Sequence, residues 1–290
     1  MNVLLIGANG FVGRGVRGAL EGQHEIVPAG MGIQDGKEIN LEDPVSIAAV
    51  LSDVRPDAIV NCAGVVDNSE AAKKNVVFTR NLLEQIVATS VPLQRIVLLG
   101  SAAEYGLVEK LPVNEDVPRN PTSLYGESKK EEVDLALKYR DEQKLPIVVA
   151  RLFNPIGTGM APRMLISGIL RQIAAVRAGE TDKIEVSRLD AKRDYLDVSD
   201  VGLAIAALLE GEPKHAVYNI GSGVCTTNEE LIRAMLAESD LATQPKLTET
   251  SDRPEPLFAI QADISRISGE FGWSPQKQLT DTIREVMHAN

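Results

Sequence analysis

The opening of the chain constrains its fold more than any other feature. Asn2-Val3-Leu4-Leu5-Ile6 is a short apolar run that passes directly into Gly7-Ala8-Asn9-Gly10-Phe11-Val12-Gly13. A strand apolar on both faces must be covered on both faces, which points to a parallel sheet flanked by helices. The rhythm then repeats. Helices are predicted over 11–20, 44–52 (with Pro44 in the first turn, where its missing N–H costs nothing), 75–88 and 123–139, and strands over 25–27, 57–60, 94–99 and 147–150. Apolar strands alternating with amphipathic helices predict an α/β domain, a Rossmann doubly wound parallel sheet, over residues 1–150.

After residue 151 the rhythm changes. Helices are predicted over 164–178, 198–210 and 228–237, and strands over 183–186 and 216–220. A Pro-rich stretch over 244–256, an amphipathic segment over 263–271 and a last helix over 280–288 follow. Residues 151–290 are thus expected to form a smaller C-terminal α/β substrate-binding lobe, interleaved with the end of the sheet.

The net charge of -11 gives the chain no general pull on nucleic acid or anionic membranes, although a local basic pocket for one phosphate ligand is compatible with it. Cys62 and Cys225 make neither a disulfide framework nor a zinc pattern, and His24, His215 and His288 are scattered, so no metal is expected. The first apolar run is too short for a signal segment or a membrane span and has no basic segment before it. The expected location is a reducing cytoplasm.

Glycines at a strand-to-helix turn let backbone N–H groups close on a pyrophosphate at the helix N-terminus, where the helix dipole favours anions. Gly7, Asn9, Gly10, Phe11, Val12 and Gly13 are therefore candidate dinucleotide contacts, although the Gly-x-x-Gly-x-x-Gly spacing is one residue wider at the front than the commonest fingerprint. The second strand ends Val27-Pro28-Ala29-Gly30 with no acid for a ribose hydroxyl. Asp35 lies about 20 residues past the glycines, beyond that strand end. Arg14 reads equally as a ligand for a 2′-phosphate and as a solvated first-turn side chain. The lean is to NADP(H) over NAD(H). Asn40-Leu41 is placed to bracket an adenine, and Cys62-Ala63-Gly64 is small enough to let a cofactor lie on the backbone.

Tyr125-Gly126-Glu127-Ser128-Lys129 puts a phenol and an ammonium on one helix face. A free phenol titrates near ~10, too high for proton exchange at neutral pH, and a nearby ammonium favours the phenolate. Tyr125 can then serve as general acid or base with Lys129 tuning it. Ser101, at the end of the strand over 94–99, is placed to hydrogen-bond a substrate oxygen, because ligands gather at the carboxyl ends of parallel strands.

These stretches carry a resemblance. The chain resembles the extended short-chain dehydrogenases/reductases, in the nucleotide-sugar epimerase/dehydratase group, over nearly its whole length. The supporting stretches are Gly7–Gly13, Asn61–Gly64, Asn75 with Asn81-Leu82-Leu83-Glu84, Gly100–Gly106, Tyr125–Lys129, Arg151–Pro155, Arg193–Val198, Tyr218–Gly221, Arg253-Pro254 and Gly272-Trp273. The resemblance implies a Ser101–Tyr125–Lys129 triad, a nicotinamide cofactor whose contacts also include Asn75 and Phe153, and a nucleoside-diphosphate sugar in the cleft. It implies that Asn154, Arg193 and Arg253 hold the sugar nucleotide and that Glu104 lies near the substrate. It also implies a homodimer through the helices over 75–88 and 123–139. Sugar 4,6-dehydratases of this group look like Thr-Asp-Glu-x-Tyr-Gly at the segment where this chain has Ser101-Ala102-Ala103-Glu104-Tyr105-Gly106. Alanine cannot move a proton, so dehydratase chemistry is not expected.

Within the group the chain is most similar to 4-keto-6-deoxyhexose reductases of the GDP-mannose type, while Phe153-Asn154-Pro155 is equally similar to the 4-epimerases. The implied reaction is NAD(P)H-dependent reduction of an NDP-4-keto-6-deoxyhexose. The alternatives are 4-epimerisation on tightly bound NAD and, further off, reduction of a non-sugar ketone. A dinucleotide sensor on the same fold has no need of the triad.

Overall fold

A computed structural model of the protein describes residues 1–250 and 258–289. In chain order the first part gives β1 (Asn2–Ile6), α1 (Phe11–Leu20), β2 (Glu25–Gly30), β3 (Lys37–Glu38), α2 (Pro44–Val54), β4 (Ala58–Asn61), α3 (Lys74–Thr89), β5 (Arg95–Ser101), α4 (Leu124–Glu142) and β6 (Ile147–Leu152). The rest gives β7 (Pro155–Ile156), α5 (Leu165–Arg177), β8 (Lys183–Val186), β9 (Lys192–Arg193), β10 (Leu196–Asp197), α6 (Val198–Glu210), β11 (Val217–Ile220), β12 (Thr226–Thr227), α7 (Asn228–Ala237), β13 (Lys246–Glu249), α8 (Ser265–Phe271) and α9 (Leu279–His288). One-turn 3₁₀ helices occupy Glu70–Lys73 and Ala102–Glu104.

Seven strands form one parallel sheet in the order β11-β6-β5-β4-β1-β2-β3. This is the α/β architecture that the apolar runs predict. The chain steps outward from β1 to β3, then returns to the other side of β1 as β4. The order therefore reverses between β1 and β4, and the crevice at their carboxyl ends is where such sheets hold ligands. Alternate residues of β1 enter opposite layers. Val3 and Leu5 pack with Val16, Leu20, Val201 and Ile205 of α1 and α6, while Leu4 and Ile6 pack with Ile47, Leu51, Leu82 and Leu83 of α2 and α3. Each such side chain, fully buried, contributes roughly 1.5–3 kcal/mol.

Helix α1 meets α6 at very short range. A Cβ on Gly15 would lie 2.4 Å from the Val198 carbonyl oxygen, and one on Gly202 would lie 2.3 Å from that of Gly15. β2 runs on to Gly30, further than its apolar core suggests, and takes in Pro28. That proline is tolerated because β3 begins to pair only at Ala29, so no ladder bond is needed on that side of Pro28.

The second half places a core of its own beside the sheet, built on Ile156, Ile169, Ile173, Leu231, Met235 and Ile283. It is pinned by short pairings of β7 with β10, β9 with β12, and β8 with β13. β13 falls inside the Pro-rich stretch, where no strand was expected; it pairs in parallel with β8, bringing Leu247 beside Ile184. No helix among the described residues is long and apolar enough to cross a membrane.

Candidate active site

The loop after β1 is fitted to the loop after β4. Gly7 has φ +75°, a left-handed conformation that favours glycine, and a Cβ there would lie 2.6 Å from the Ala63 nitrogen. A Cβ on Gly13 would lie 2.1 Å from the Gly7 carbonyl oxygen. Gly10 caps α1 with no side-chain hydrogen bond, and the first turn of α1 has no acid. The N-terminus of α1, with Asn9, Phe11 and Val12 around it, is thus open to an anion at the positive end of the helix dipole. These features fit the pyrophosphate of a dinucleotide.

Beside this loop a recess of about 260 Å³ is lined by Asn9, Arg17, Gly32, Ile33, Gln34 and Asp35. Arg14 is absent from its lining. Its guanidinium donates to the Asn9 carbonyl (2.7 Å) and to the Gly159 carbonyl (3.0 Å), bridging the glycine loop to the chain after β7. The cation in the recess is Arg17, one turn on, which also pairs with Glu21 at 3.1 Å. Asn40 accepts from the Glu42 N–H, and the Leu41 carbonyl accepts from Asn81 of α3 (2.9 Å). Cys62 and Ala63 follow β4, the Cys62 N–H bonding the Ile6 carbonyl and the Ala63 N–H the Asn61 side chain. Gly64 is exposed. Burial pushes the Cys62 thiol up to about 12.

Ser101 ends β5 and caps the 102–104 turn. The Ala103 N–H donates to Ser101 Oγ (3.2 Å), and the Ser101 N–H donates to Glu104 Oε1 (2.8 Å). The first of these uses a lone pair and leaves the hydroxyl hydrogen for an acceptor. Ser123 caps α4, its Oγ accepting from the Gly126 N–H, so that Tyr125 sits half-buried in the first turn. A Cβ on Gly126 would lie 2.5 Å from the Ala103 carbonyl oxygen. The glycine inside the Tyr-Gly-x-x-Lys stretch is therefore what lets the start of α4 rest on the Ser101 turn. One turn later Lys129 is buried, its Nζ donating to Glu132 Oε2 (2.6 Å). Burial acts against the Lys129 ammonium, and Glu132 with Tyr125 more than offsets it.

Burial bears on three of the expected contacts. Glu104 has no exposed surface; its Oε2 meets Arg151 (2.9 Å) and Arg119 (3.2 Å), and its Oε1 holds the Ser101 backbone. It supports Ser101 from behind. The Phe153 ring, also without exposed surface, packs with Tyr105, Val113 and Ile260, so its side chain presents nothing to a cofactor. Asn75 is 2% exposed and spends its amide inside the protein, accepting from the Val65 N–H and donating to the Val65 carbonyl and to Ser128 Oγ. It shapes the loop after β4.

After β6, Asn154 donates to the Asp194 carbonyl (2.9 Å). Arg193 donates to Asn228 (3.2 Å) with its guanidinium 5.2 Å from the centre of the Phe258 ring. Arg253 lies outside the described residues. Asp194, inside the Arg193–Val198 stretch, carries no local mark of an anchor. It is fully buried and accepts from the Ser222 N–H and hydroxyl, the Gly223 N–H and the Ala262 N–H, tying together three segments. Thr79, Glu132 and Arg17 likewise lie outside the motifs legible in the sequence. An acid three residues past Lys129 was the available signal for Glu132. No cluster of potential metal ligands occurs among the described residues.

Known proteins share the fold and the family of this chain. A dTDP-6-deoxy-L-talose 4-dehydrogenase (NAD(P)(+)) of Kitasatospora kifunensis is 28% identical, the match covering 99% of this chain and 95% of that protein. A GDP-6-deoxy-D-mannose reductase of Pseudomonas aeruginosa is 27% identical, over 98% and 95%. The structure of RMD from Pseudomonas aeruginosa complexed with NADPH superposes with a TM-score of 0.87 at 26% identity, covering 99% of this chain and 98% of that one. A Thermotoga maritima UDP-glucose 4-epimerase shares the fold, with a TM-score of 0.86 at 22% identity, covering 100% and 98%. The sequence profile of the NAD dependent epimerase/dehydratase family matches residues 3–221. With an open glycine loop at the sheet's switch point and Ser101 and Tyr125 on abutting turns, the chain belongs to the NAD-dependent epimerase/dehydratase family, the extended short-chain dehydrogenases/reductases.

Proposed function

We propose that the protein reduces the 4-keto group of a nucleoside-diphosphate 4-keto-6-deoxyhexose with NADPH or NADH. The observation that carries this reading is the seating of the α4 start, through Gly126, on the turn that Ser101 caps, with Ala102 and Ala103 where a dehydratase needs acids. The two full-length relatives named above, both acting on 6-deoxyhexose nucleotides, support it.

When bound, the reduced nicotinamide supplies a hydride. Ser101 donates its free hydroxyl hydrogen to the keto oxygen and polarises the carbonyl. Tyr125 delivers a proton to the same oxygen as negative charge develops there, and Lys129 holds the phenol's surroundings cationic. Arg193, its guanidinium over the Phe258 ring, offers a cation to a diphosphate, and Asn154 and Arg253 are further candidate contacts. Arg17 and Asp35 share the recess next to the glycine loop, a cation for a 2′-phosphate and an acid for a 2′-hydroxyl, so both cofactors are expected to serve.

The test is to identify any dinucleotide carried by the purified protein, then to follow NADPH and NADH consumption with GDP- and dTDP-4-keto-6-deoxyhexoses. Stoichiometric oxidation of added cofactor with loss of keto sugar is expected, and Tyr125→Phe should lower kcat by about 10²-fold or more. Protein that arrives loaded with NAD and interconverts 4-hydroxy epimers with no net cofactor change is an epimerase, and the proposal fails.

A further inference from the structure

Lys129 does not stand alone. Its side chain is 8% exposed and that of Glu132 is 6% exposed, with 2.6 Å between Nζ and Oε2. The other Glu132 oxygen accepts from Oγ1 of the buried Thr79 on α3 (2.8 Å). The carboxylate is therefore held from two helices and cannot swing away from the lysine.

The charges around the pair can be traced element by element. On α4 itself, Tyr125 lies one turn before Lys129. The 102–104 turn contributes Glu104, which acts on both Lys129 and Glu132 but is itself matched by Arg151 of β6 and by Arg119. From α3 the contact is the uncharged Thr79. The 70–73 turn carries the exposed Glu70–Lys73 pair, and the further acids acting on Lys73 are Glu127 and Glu131. β5 presents Ser101 here and keeps Arg95 at its opposite end. Glu132 is thus the negative charge in direct contact with the Lys129 ammonium.

We propose that Glu132 is a positioning residue of the Tyr125–Lys129 dyad: its carboxylate fixes the ammonium and, as a buried negative charge, makes the dyad hold both of its protons, the form that can donate one to a substrate oxygen. This rests on the reading of the site given above. The sign is the same whichever member loses a proton first, because a nearby negative charge makes release of a proton harder from phenol and ammonium alike, and the two titrate as a unit. Reduction consumes a proton from Tyr125, so its rate falls on the alkaline side as the dyad's first proton leaves. A Glu132 carboxylate places that fall at higher pH and biases the site toward reduction.

Glu132→Gln keeps the shape and can still accept from Lys129, but lacks the charge. The alkaline limb of kcat for keto-sugar reduction is expected to move to lower pH by about one unit or more. Glu132→Asp keeps the charge but draws it back from Nζ; it should move the limb the same way by less, and it serves as the test if the Gln variant does not fold. A merely structural glutamate would lower the thermal midpoint and leave the limb in place, and that result overturns the proposal. A second readout needs no sugar. The ¹³Cε shift of Lys129 and the phenolate absorbance lost in Tyr125→Phe together report the dyad's first deprotonation, which should occur at lower pH in Glu132→Gln. If the wild type reduces no keto sugar and this transition still moves, the substrate reading fails and the role of Glu132 stands. An unmoved transition removes that role whatever the substrate.

Discussion

Arg14 and Arg17 show what a single residue's sequence context can and cannot tell. Arg14 stands directly after the last glycine of the loop, where it reads equally as a ligand for a 2′-phosphate and as a solvated first-turn side chain. Its partners are instead two backbone carbonyls, of Asn9 and of Gly159. Neither is coded by a side chain, and the second belongs to the other lobe, so nothing local could have announced them. Arg17 shares the recess with Asp35. A 2′-phosphate gains a charge-assisted partner from Arg17 and repulsion from Asp35, while a 2′-hydroxyl gains a hydrogen bond from the acid. Arg17→Ala should therefore raise KM for NADPH by about 10-fold or more and change KM for NADH little, since one charge-assisted bond is worth about 1.5–3 kcal/mol. Asp35→Asn should shift the preference the other way. Steady-state kinetics with both cofactors checks the pair, and equal effects on the two cofactors would remove the recess from cofactor choice.

At the scale of elements, the start of α4 and the end of β5 are the parts that have to meet. Their existence is legible, since an apolar run ending in Gly100-Ser101 and a Ser-capped helix are local patterns. Their contact is not, because it depends on the absence of a side chain at Gly126, whose added Cβ would clash with the Ala103 carbonyl. Gly126→Ala should push the first turn of α4 off the Ser101 turn and lower kcat by about 10-fold or more, at a stability cost of about 1–3 kcal/mol. Behind that contact, Glu104 and Arg151 are buried together, Arg151 also donating to the Tyr105 hydroxyl, which donates on to Asn219 of β11. Removing one member of a buried pair strands the other charge, so Glu104→Gln should cost about 3–5 kcal/mol in chemical denaturation. The double variant Glu104→Gln/Arg151→Met should cost less than the sum of the two single changes. Strict additivity would mean that the two side chains do not act as one unit. Glu104, read from sequence with no role assigned, is part of the strut under Ser101, a role that only its burial and partners reveal.

For the molecule as a whole, the sheet was legible and the second lobe only partly so. Continuous apolar runs specify a strand buried on both faces wherever they occur, whereas β13 depends on its pairing with β8, supplied from far along the chain. Helix α3 poses the remaining question at this scale. It buries Leu82, Leu83 and Ile86 against the sheet, yet leaves Val77 and Val87 45% and 38% exposed. Two exposed valines on a helix already packed on its inner face are the apolar remainder that a second copy of the chain would cover. The expected species by light scattering is a homodimer of twice the chain mass, and Val77→Glu/Val87→Glu should convert it to monomer. Positions already facing solvent tolerate such changes within about ±0.5 kcal/mol each, so the variant's thermal midpoint at low concentration should stay near the wild-type monomer's. A wild type that is monomeric at tens of micromolar would leave the two valines as ordinary surface. Because α3 also carries Thr79 on its buried face, bonded to Glu132 of α4, a dimer built through α3 would brace the helix that helps to hold Glu132 against Lys129. The monomeric variant should then keep its alkaline limb in place, since every residue of the dyad lies within one chain, and lose kcat by no more than a few-fold as that bracing is lost.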